Sequence, residues 1–266
     1  MPPRILHLHA VLPSAADQAV VLAREGAPAG TLVVARTQSA GRGRAGHRWV
    51  SPEGGVYLGL VLRPRVPMQC LMAVQPCAQL GVLDALRARG VEGAALGWPN
   101  DLLLGDAKLG CVTVDAGVGE GVYAVVGVNL NVAWSAALGD VSETGDFCAE
   151  HPLPVAALGE ELAEEQLVDL AEVLAEAIMA RMAAYEADVA ARRAQAGPLQ
   201  PFLSEYFDAI PLLGEYVRAS YSDGRVAALG HFVGIDIWDR VTVRDKAGTE
   251  HEFAQEQASL RPLPQD

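Results

Sequence analysis

Residues 37–52, TQSAGRGRAGHRWVSP, constrain the structure of this chain more than any other segment. Three glycines in this segment alternate with Arg42 and Arg44. Glycine lets a backbone approach a ligand closely because it has no Cβ, and arginine offers a planar, permanently charged fork that suits carboxylate and phosphate. The spacing matches neither the dinucleotide fingerprint nor the phosphate loop that ends in Lys-Ser/Thr. The segment therefore predicts a loop that wraps an anion, with a plain basic surface loop as the alternative.

The sequence on either side of this loop predicts strands that hold its two ends. Residues 31–35 (TLVVA) and 55–63 (GVYLGLVLR) are short apolar runs, as expected for buried strands. A loop held in this way can close over a ligand while its base stays in place.

The distribution of charge along the chain distinguishes nucleic acids from small anions as expected ligands. The net charge of −13 argues against broad nucleic-acid binding, which needs a field that attracts phosphates. Between positions 26 and 83, however, Glu53 is the only acidic residue. The arginines in that interval are Arg36, Arg42, Arg44, Arg48, Arg63 and Arg65. We therefore expect one basic pocket in an acidic body, which would attract small anions.

The cysteines and the hydrophobic pattern predict a cytoplasmic protein. Cys70, Cys77, Cys111 and Cys148 show no metal-ligand spacing, and most lie in apolar contexts that suit buried thiols. The sequence has no cationic start followed by an apolar run and no apolar span of 18 residues, so we expect neither export by such a signal nor membrane insertion.

The remaining pattern predicts further strands and helices. Ser14 suits the N-cap of a helix that reaches Ala23, residues 69–89 predict a helix that Pro76 kinks or splits, and Gly105 with Asp106 predicts a hairpin turn. The other predicted elements are a strand over 4–9, an antiparallel pair over 112–116 and 122–132, an amphipathic helical stretch over 152–196, and short strands over 217–221, 225–229, 240–244 and 250–253.

Together these elements predict an α+β fold, in which a mixed β-sheet carries helices and is followed by a small β-barrel. We place the α+β domain at residues 1–210 and the barrel at residues 211–266.

Three motifs, in order, resemble those of the biotin–protein ligases. The first is residues 41–52 with 54–64, the second is WPND at 98–101 followed by Lys108, and the third is VGVNLN at 126–131. Lys108 is one of only two lysines among 20 lysines and arginines, so its use here is unusual for this chain. The resemblance implies a class II synthetase-like catalytic domain, as in biotinyl and lipoyl ligases, and an SH3-like C-terminal domain.

The resemblance also implies the reaction. The biotin carboxylate would attack the α-phosphate of ATP to form biotinyl-5'-AMP, with Mg²⁺ on the phosphates, and a carrier lysine would then attack the mixed anhydride. The implied partner is a biotin carboxyl carrier protein, the acceptor domain of acetyl-CoA carboxylase. A homodimer is expected only from the family, and the oligomeric state stays open.

Site residues follow from the same resemblance, motif by motif. The catalytic residues would be Lys108, Arg42, Arg44 and Asp101. Biotin would be bound by Ser14, Gln38, Gly41, Arg42, Gly43, Arg44 and Lys108, and ATP by Trp49, Asn129 and Arg261. Asp101 has two candidate roles, as a Mg²⁺ ligand or as the base for the acceptor lysine, and a plain turn residue is the third interpretation.

The chain departs from the family pattern at several of these positions. The family usually has Ser-Thr-Asn at Ser14-Ala15-Ala16, a lysine at Gly97, and glycines at Cys111 and Val125. These departures keep one alternative open, a catalytically weak sensor that binds biotin or biotinyl-adenylate. A lipoate–protein ligase is the second alternative, because its catalytic domain is similar. Some family members carry an N-terminal helix-turn-helix domain. Because the first predicted strand starts near residue 4, we expect a monofunctional form that binds no DNA.

Overall fold

The computed structural model describes residues 5–138 and 153–263. Two residues named in the sequence analysis lie outside this part of the chain. They are Arg4, where the first strand is predicted to start, and Cys148. Within the described residues the chain forms a seven-stranded sheet, a five-stranded sheet and four α-helices. The predicted α+β class with a mixed sheet is confirmed.

The larger sheet contains the strands of the N-terminal half in the order β1-β2-β3-β7-β6-β5-β4. Its strands are β1 (Leu6–Leu12), β2 (Leu32–Gln38), β3 (Gly55–Leu62), β4 (Ala94–Gly97), β5 (Asp101–Leu104), β6 (Ala107–Gly119) and β7 (Gly121–Asn131). Only the β1–β2 pair is parallel among these strands. The predicted loop follows β2 and the motif at 98–101 joins β4 to β5, so the sheet brings distant motifs together.

The helices are α1 (Ala15–Arg24), α2 (Val74–Ala88), α3 (Glu164–Ala190) and α4 (Leu203–Asp208). Ser14 caps α1 as predicted, since its hydroxyl accepts the Asp17 N–H at 3.2 Å. The helix predicted over 69–89 begins as a 3-10 helix, Met68–Ala73, and continues as α2 without a break. Pro76 lies in the first turn of α2, where its missing N–H has no intrahelical partner to lose, so it does not split the helix.

The helical stretch predicted over 152–196 is shorter in the structure, and residue 152 lies outside the described part. Residues 153–158 are extended because their backbone bonds go to the large sheet. The Lys108 N–H donates to the Pro154 carbonyl at 2.7 Å, and the Ala156 N–H donates to the Lys108 carbonyl at 2.9 Å. The chain becomes helical only at Glu164.

Helices cover both faces of the large sheet. The core on one face joins α2 and α3 to the sheet, and α1 packs on the other face with Ala15, Ala19 and Ala23 fully buried. Close approach of α1 depends on Gly59 of β3, where an added Cβ would lie 2.5 Å from the Ala15 carbonyl oxygen. None of the helices in the described residues is long and apolar enough to cross a membrane.

The smaller sheet is antiparallel, with the order β11-β10-β9-β8-β12. Its strands are β8 (Tyr216–Tyr221), β9 (Val226–Ile235), β10 (Val241–Arg244), β11 (Glu250–Phe253) and β12 (Ala258–Pro262). Four of these were predicted, and β12 was not predicted as a strand. No ladder joins β11 to β12 within the described residues, so the structure gives an open sheet where the sequence predicts a barrel. Its buried side chains, such as Phe232 and Leu260, join the core of the larger sheet.

Candidate active site

The predicted anion loop is a compact hairpin in the structure. Gln38 pairs with Ser51 and Arg42 pairs with Arg48 in isolated bridges, and a 3-10 turn, Arg44–Gly46, closes the tip. At Gly41 an added Cβ would lie 2.6 Å from both the Ser51 hydroxyl and the Trp49 carbonyl oxygen. Glycine is therefore required for the two arms of the hairpin to approach each other.

Gln38 and Asn129 fasten this hairpin to the sheet. The Gln38 amide donates to Ser51 Oγ at 2.8 Å and to Asn129 Oδ1 at 2.9 Å, and its carbonyl oxygen accepts the Ala15 N–H at 2.8 Å. Asn129 in turn donates to the Arg42 carbonyl at 3.1 Å. Both N–H donors of the Gln38 side-chain amide are thus used within the protein. Gln38 is predicted to bind biotin and Asn129 to bind ATP, and in this arrangement they hold the loop.

Arg42 lies between two carboxylates that the sequence analysis missed. Its Nη2 is 2.5 Å from Asp17 Oδ1 on α1 and 2.9 Å from Asp115 Oδ2 on β6. Burial lowers the pKa of Arg42, but the attraction of Asp115 and Asp17 outweighs it, so the pKa is raised overall. The scarcity of acidic residues between positions 26 and 83 was the available signal, because an arginine in that interval must find most of its carboxylate partners elsewhere in the chain.

Arg44 joins the hairpin to the smaller sheet. Its guanidinium donates to the carbonyls of Gln255 and Ala258, the latter at 3.0 Å. Burial lowers the pKa of Arg44, Asp101 opposes this effect and Arg261 adds to it. The predicted carboxylate and phosphate ligand is therefore also a contact between the two sheets.

Asp101, Lys108 and Arg261 form the most buried ion cluster of the site. Lys108 Nζ is 2.9 Å from Asp101 Oδ1, and Arg261 Nη2 is 3.0 Å from Asp101 Oδ2. The Asp101 side chain is 1% exposed and that of Lys108 is 13% exposed. Residues 101, 108 and 261 come from β5, β6 and β12, so the fold brings together three of the predicted site residues.

Trp49 lies beside this ion cluster, in a small apolar group with Tyr57 and Cys111. Lys108 Nζ is 5.5 Å from the centre of the Trp49 ring. The indole Nε1–H is buried and makes no hydrogen bond within the described residues. Contact between ATP and the Trp49 ring, as predicted, would require this buried ring to become accessible.

The positions that depart from the family pattern are packed in this chain. Ala15 of α1 and Val125 of β7 are fully buried in the same apolar core. At Gly97, an added Cβ would lie 3.0 Å from Asp101 Cβ. Cys111 is also fully buried, and burial raises the pKa of its thiol to about 11. Cys111 is therefore a neutral thiol near pH 7.

A cleft of about 440 Å³ opens beside the hairpin. Its lining includes Arg42, Gly43, Arg44, Asn100, Thr113 and Asp115. The other arginines of the basic interval are not part of this lining, and Arg36 pairs with Glu53 and Glu164 on another surface. The expectation that these arginines form one pocket is therefore wrong, because α3 supplies a carboxylate to Arg36 whereas α1 and β6 supply carboxylates to Arg42.

The role of Asp101 as a Mg²⁺ ligand stays a prediction. Each of its oxygens faces a cation of the protein, so Asp101 would have to release Lys108 or Arg261 in order to hold the metal.

Comparison with known proteins supports the resemblance seen in the motifs. Residues 18–131 match the biotin/lipoate A/B protein ligase family. The bifunctional ligase/repressor BirA of Bacillus subtilis (strain 168) is 39% identical over 128 residues, 47% of this chain and 39% of that protein. The biotin–[acetyl-CoA-carboxylase] ligase of Paracoccus denitrificans is 42% identical over 105 residues, 38% of this chain and 44% of that protein. The chain thus spans less than half the length of these relatives.

The whole fold also has a solved counterpart. The biotin protein ligase from Aquifex aeolicus, in complex with biotin and ATP, superposes with a TM-score of 0.74 over 98% of this chain and 100% of that chain, at 21% identity. The predicted resemblance to biotin–protein ligases is confirmed over the matched segment, and the likeness of fold extends over almost the whole chain.

Proposed function

Because residues 18–131 match the biotin/lipoate A/B protein ligase family, we propose that this chain is an ATP-dependent biotin–protein ligase. It would form biotinyl-5'-AMP and transfer biotin to a lysine of a biotin carboxyl carrier protein. The observation that carries the proposal is the convergence of the three motifs, since Asn129 bonds the backbone of Arg42 and Lys108 lies between Asp101 and Trp49.

The charge of the site suits an anionic intermediate. Bringing a carboxylate against a triphosphate is opposed by repulsion of several kcal/mol in a dry site, so cations must lie between them. Arg44, Lys108 and Arg261 surround Asp101, with Glu256 near Arg44, whereas Arg42 is offset by Asp17 and Asp115. The positive charge of the site is therefore concentrated around Asp101. Lys108 would bind the carboxyl–phosphate junction, because its ammonium carries three donors and pairs with a single carboxylate, that of Asp101.

Arg42 and Arg44 would take part in the reaction by exchanging their contacts within the protein for contacts with the substrate anions. Both are ordered by contacts within the protein, and the substrate anions would compete for their donors. Holding a cation in place before the anion arrives lowers the entropy lost on binding.

Asp101 would act by holding Lys108 and Arg261 in position. The Mg²⁺ of the reaction would then be carried by the phosphates of ATP, because the Asp101 oxygens already face cations.

We further propose that the smaller sheet is the SH3-like domain of the family, with the boundary near residue 211. The buried, unpaired thiols of Cys70, Cys77 and Cys111 support a reducing, cytoplasmic location.

The test measures the exchange of labelled pyrophosphate into ATP in three reactions, one with biotin, one with lipoate and one with neither acid. Exchange that depends on biotin is expected. Exchange that depends on lipoate would replace this proposal with a lipoate–protein ligase. Tight binding of biotin without exchange would make the chain a sensor, the alternative that buried Cys111 and Ala15 favour.

Transfer is tested separately with labelled biotin and a carrier domain. The control is the same domain with its acceptor lysine replaced by arginine, which should stay unlabelled. Exchange without any labelling of the intact carrier would limit the function to adenylation.

A further inference from the structure

Asp239 is a buried carboxylate that the proposed reaction does not use. It lies in the turn between β9 and β10, has no exposed surface and has a φ of +56°, a region that aspartate tolerates better than most residues. The turn is shaped by Asp236, whose carbonyl accepts the Asp239 N–H at 3.1 Å. The Asp236 carboxylate also accepts the N–H groups of Trp238 and Arg240 at 2.8 and 2.9 Å.

The Asp239 side chain bonds a residue of the other sheet. Its Oδ1 accepts the indole Nε1–H of Trp98 at 3.1 Å. Trp98 is completely buried, and a buried indole N–H needs an acceptor. Asp239 supplies it.

Trp98 begins the turn that ends in Asp101. The smaller sheet contacts this turn at three points. Asp239 accepts a hydrogen bond from the Trp98 indole, and the Leu260 N–H donates to the Trp98 carbonyl at 3.5 Å. Arg261 forms an ion pair with the Asp101 carboxylate. A shift of Trp98 would therefore move Asp101, and with it the Lys108 ammonium 2.9 Å away.

The surroundings of Asp239 make its charge sensitive to pH. Burial raises its pKa to about 7. The Trp98 and Tyr206 hydrogen bonds oppose the rise, and Glu256 and Asp236 add to it. A carboxylate accepts a stronger hydrogen bond than its protonated form, so the indole is held more firmly above pH 7.

We propose that Asp239 is a positioning residue, which fixes the Trp98–Asp101 turn from the smaller sheet and so presents Asp101 and Lys108 to the substrates. Its kinetic test rests on the proposed ligase function, whereas the geometry can be observed without substrates.

Two variants separate the charge of Asp239 from its hydrogen bond. Asp239→Asn keeps an oxygen acceptor without the charge, and Asp239→Gly removes the acceptor while tolerating the positive φ. We expect Asp239→Gly to lower kcat for biotin-dependent exchange about tenfold at pH 8, because small displacements of catalytic groups are costly. Asp239→Asn should match the wild type at pH 6 and be about fivefold slower at pH 8, as expected when a charged hydrogen bond becomes neutral.

Trp98→Phe, which removes the donor, completes a double-mutant cycle. If Asp239 acts through Trp98, the losses in Trp98→Phe and Asp239→Gly should not add in the double variant. Asp223→Asn is the matched control, because Asp223 lies in the β8–β9 turn of the same sheet and pairs with exposed Arg225 at 2.7 Å. It should leave kcat unchanged.

A readout without substrates distinguishes failure of this proposal from failure of the ligase function. The Trp98 indole N–H resonance, identified by its loss in Trp98→Phe, should titrate with a midpoint near pH 7 in the wild type. It should not titrate in Asp239→Asn, and it should be displaced in Asp239→Gly. A resonance insensitive to both variants would overturn the proposal even if the wild type catalyses exchange. So would normal kcat in folded Asp239→Gly, or additive losses in the cycle. If the wild type catalyses no exchange, the ligase function fails and the resonance alone decides.

Discussion

Substitution of Lys108 is the sharpest test of the proposed site. Lys108→Arg keeps the charge but replaces a compact ammonium with a broad fork, in a space bounded by Asp101 and the Trp49 ring. We expect biotin-dependent exchange to fall by a factor of roughly 10²–10³, as for loss of one preorganised electrostatic donor.

Lys246→Arg is the matched control, because Lys246 is the other lysine of the chain and lies exposed after β10. It should exchange normally. Near-normal exchange in Lys108→Arg would remove Lys108 from the catalytic residues and leave Arg42 and Arg44 to stabilise the anion.

Ala15 and Ala16 are neighbours in the sequence that differ in the room around them. Ala15 is fully buried against the sheet, so Ala15→Thr should overpack the core and lower the free energy of unfolding by about 1–3 kcal/mol. Ala16 is partly exposed, and Ala16→Asn should change that free energy by less than about 0.5 kcal/mol. Urea unfolding measures both. Equal effects would mean that α1 adjusts its distance from β3.

At the scale of elements, the hairpin over residues 38–51 depends on Asn129. Asn129→Asp keeps the acceptor for Gln38 but loses the donor to the Arg42 carbonyl. The loss of one hydrogen bond should raise the rate of tryptic cleavage after Arg42 or Arg44 about fivefold, and biotin with ATP should slow that cleavage in the wild type.

The control for this experiment lies on the same strand. The Asn131 amide donates to the Ala156 carbonyl, away from the hairpin, so Asn131→Asp should leave cleavage at the hairpin unchanged. Identical cleavage in the two variants would contradict the anchoring role of Asn129.

The elements themselves were largely predictable, because local patterns specify them. The alternation in β8 to β11 and the Ser14 cap were visible in the sequence, and the structure confirms them. The helix over 152–196 was overpredicted since its first part has helical composition but bonds Lys108 in the large sheet. Tertiary hydrogen bonds overrode local propensity there.

At the scale of the whole molecule, the pairing of charges could not be predicted. The family resemblance identified Arg42, Asp101 and Arg261 one by one. It did not predict that Asp115 would pair with Arg42 or that Arg261 would face Asp101 across 160 residues. Such contacts depend on how the two sheets pack, and no local pattern encodes them. Asp239 was missed for the same reason, because a turn aspartate in sequence gives no sign of a distant buried indole.

The Arg261–Asp101 pair predicts how strongly the two sheets depend on each other. Both side chains are almost completely buried, and removing one partner of a buried pair costs about 3–5 kcal/mol because the other charge is left uncompensated. Lys108 still faces Asp101 in Arg261→Met, so we expect the lower end of that range in urea unfolding, together with reduced exchange.

Arg225→Met is the control, since Arg225 forms an ion pair in the same sheet that is exposed to water. Exposed pairs are screened and contribute little, so its unfolding midpoint should match the wild type. If Arg261→Met is equally stable, the ion pair does not hold the sheets together. The shared apolar core around Phe232 and Leu260 would then account for their association.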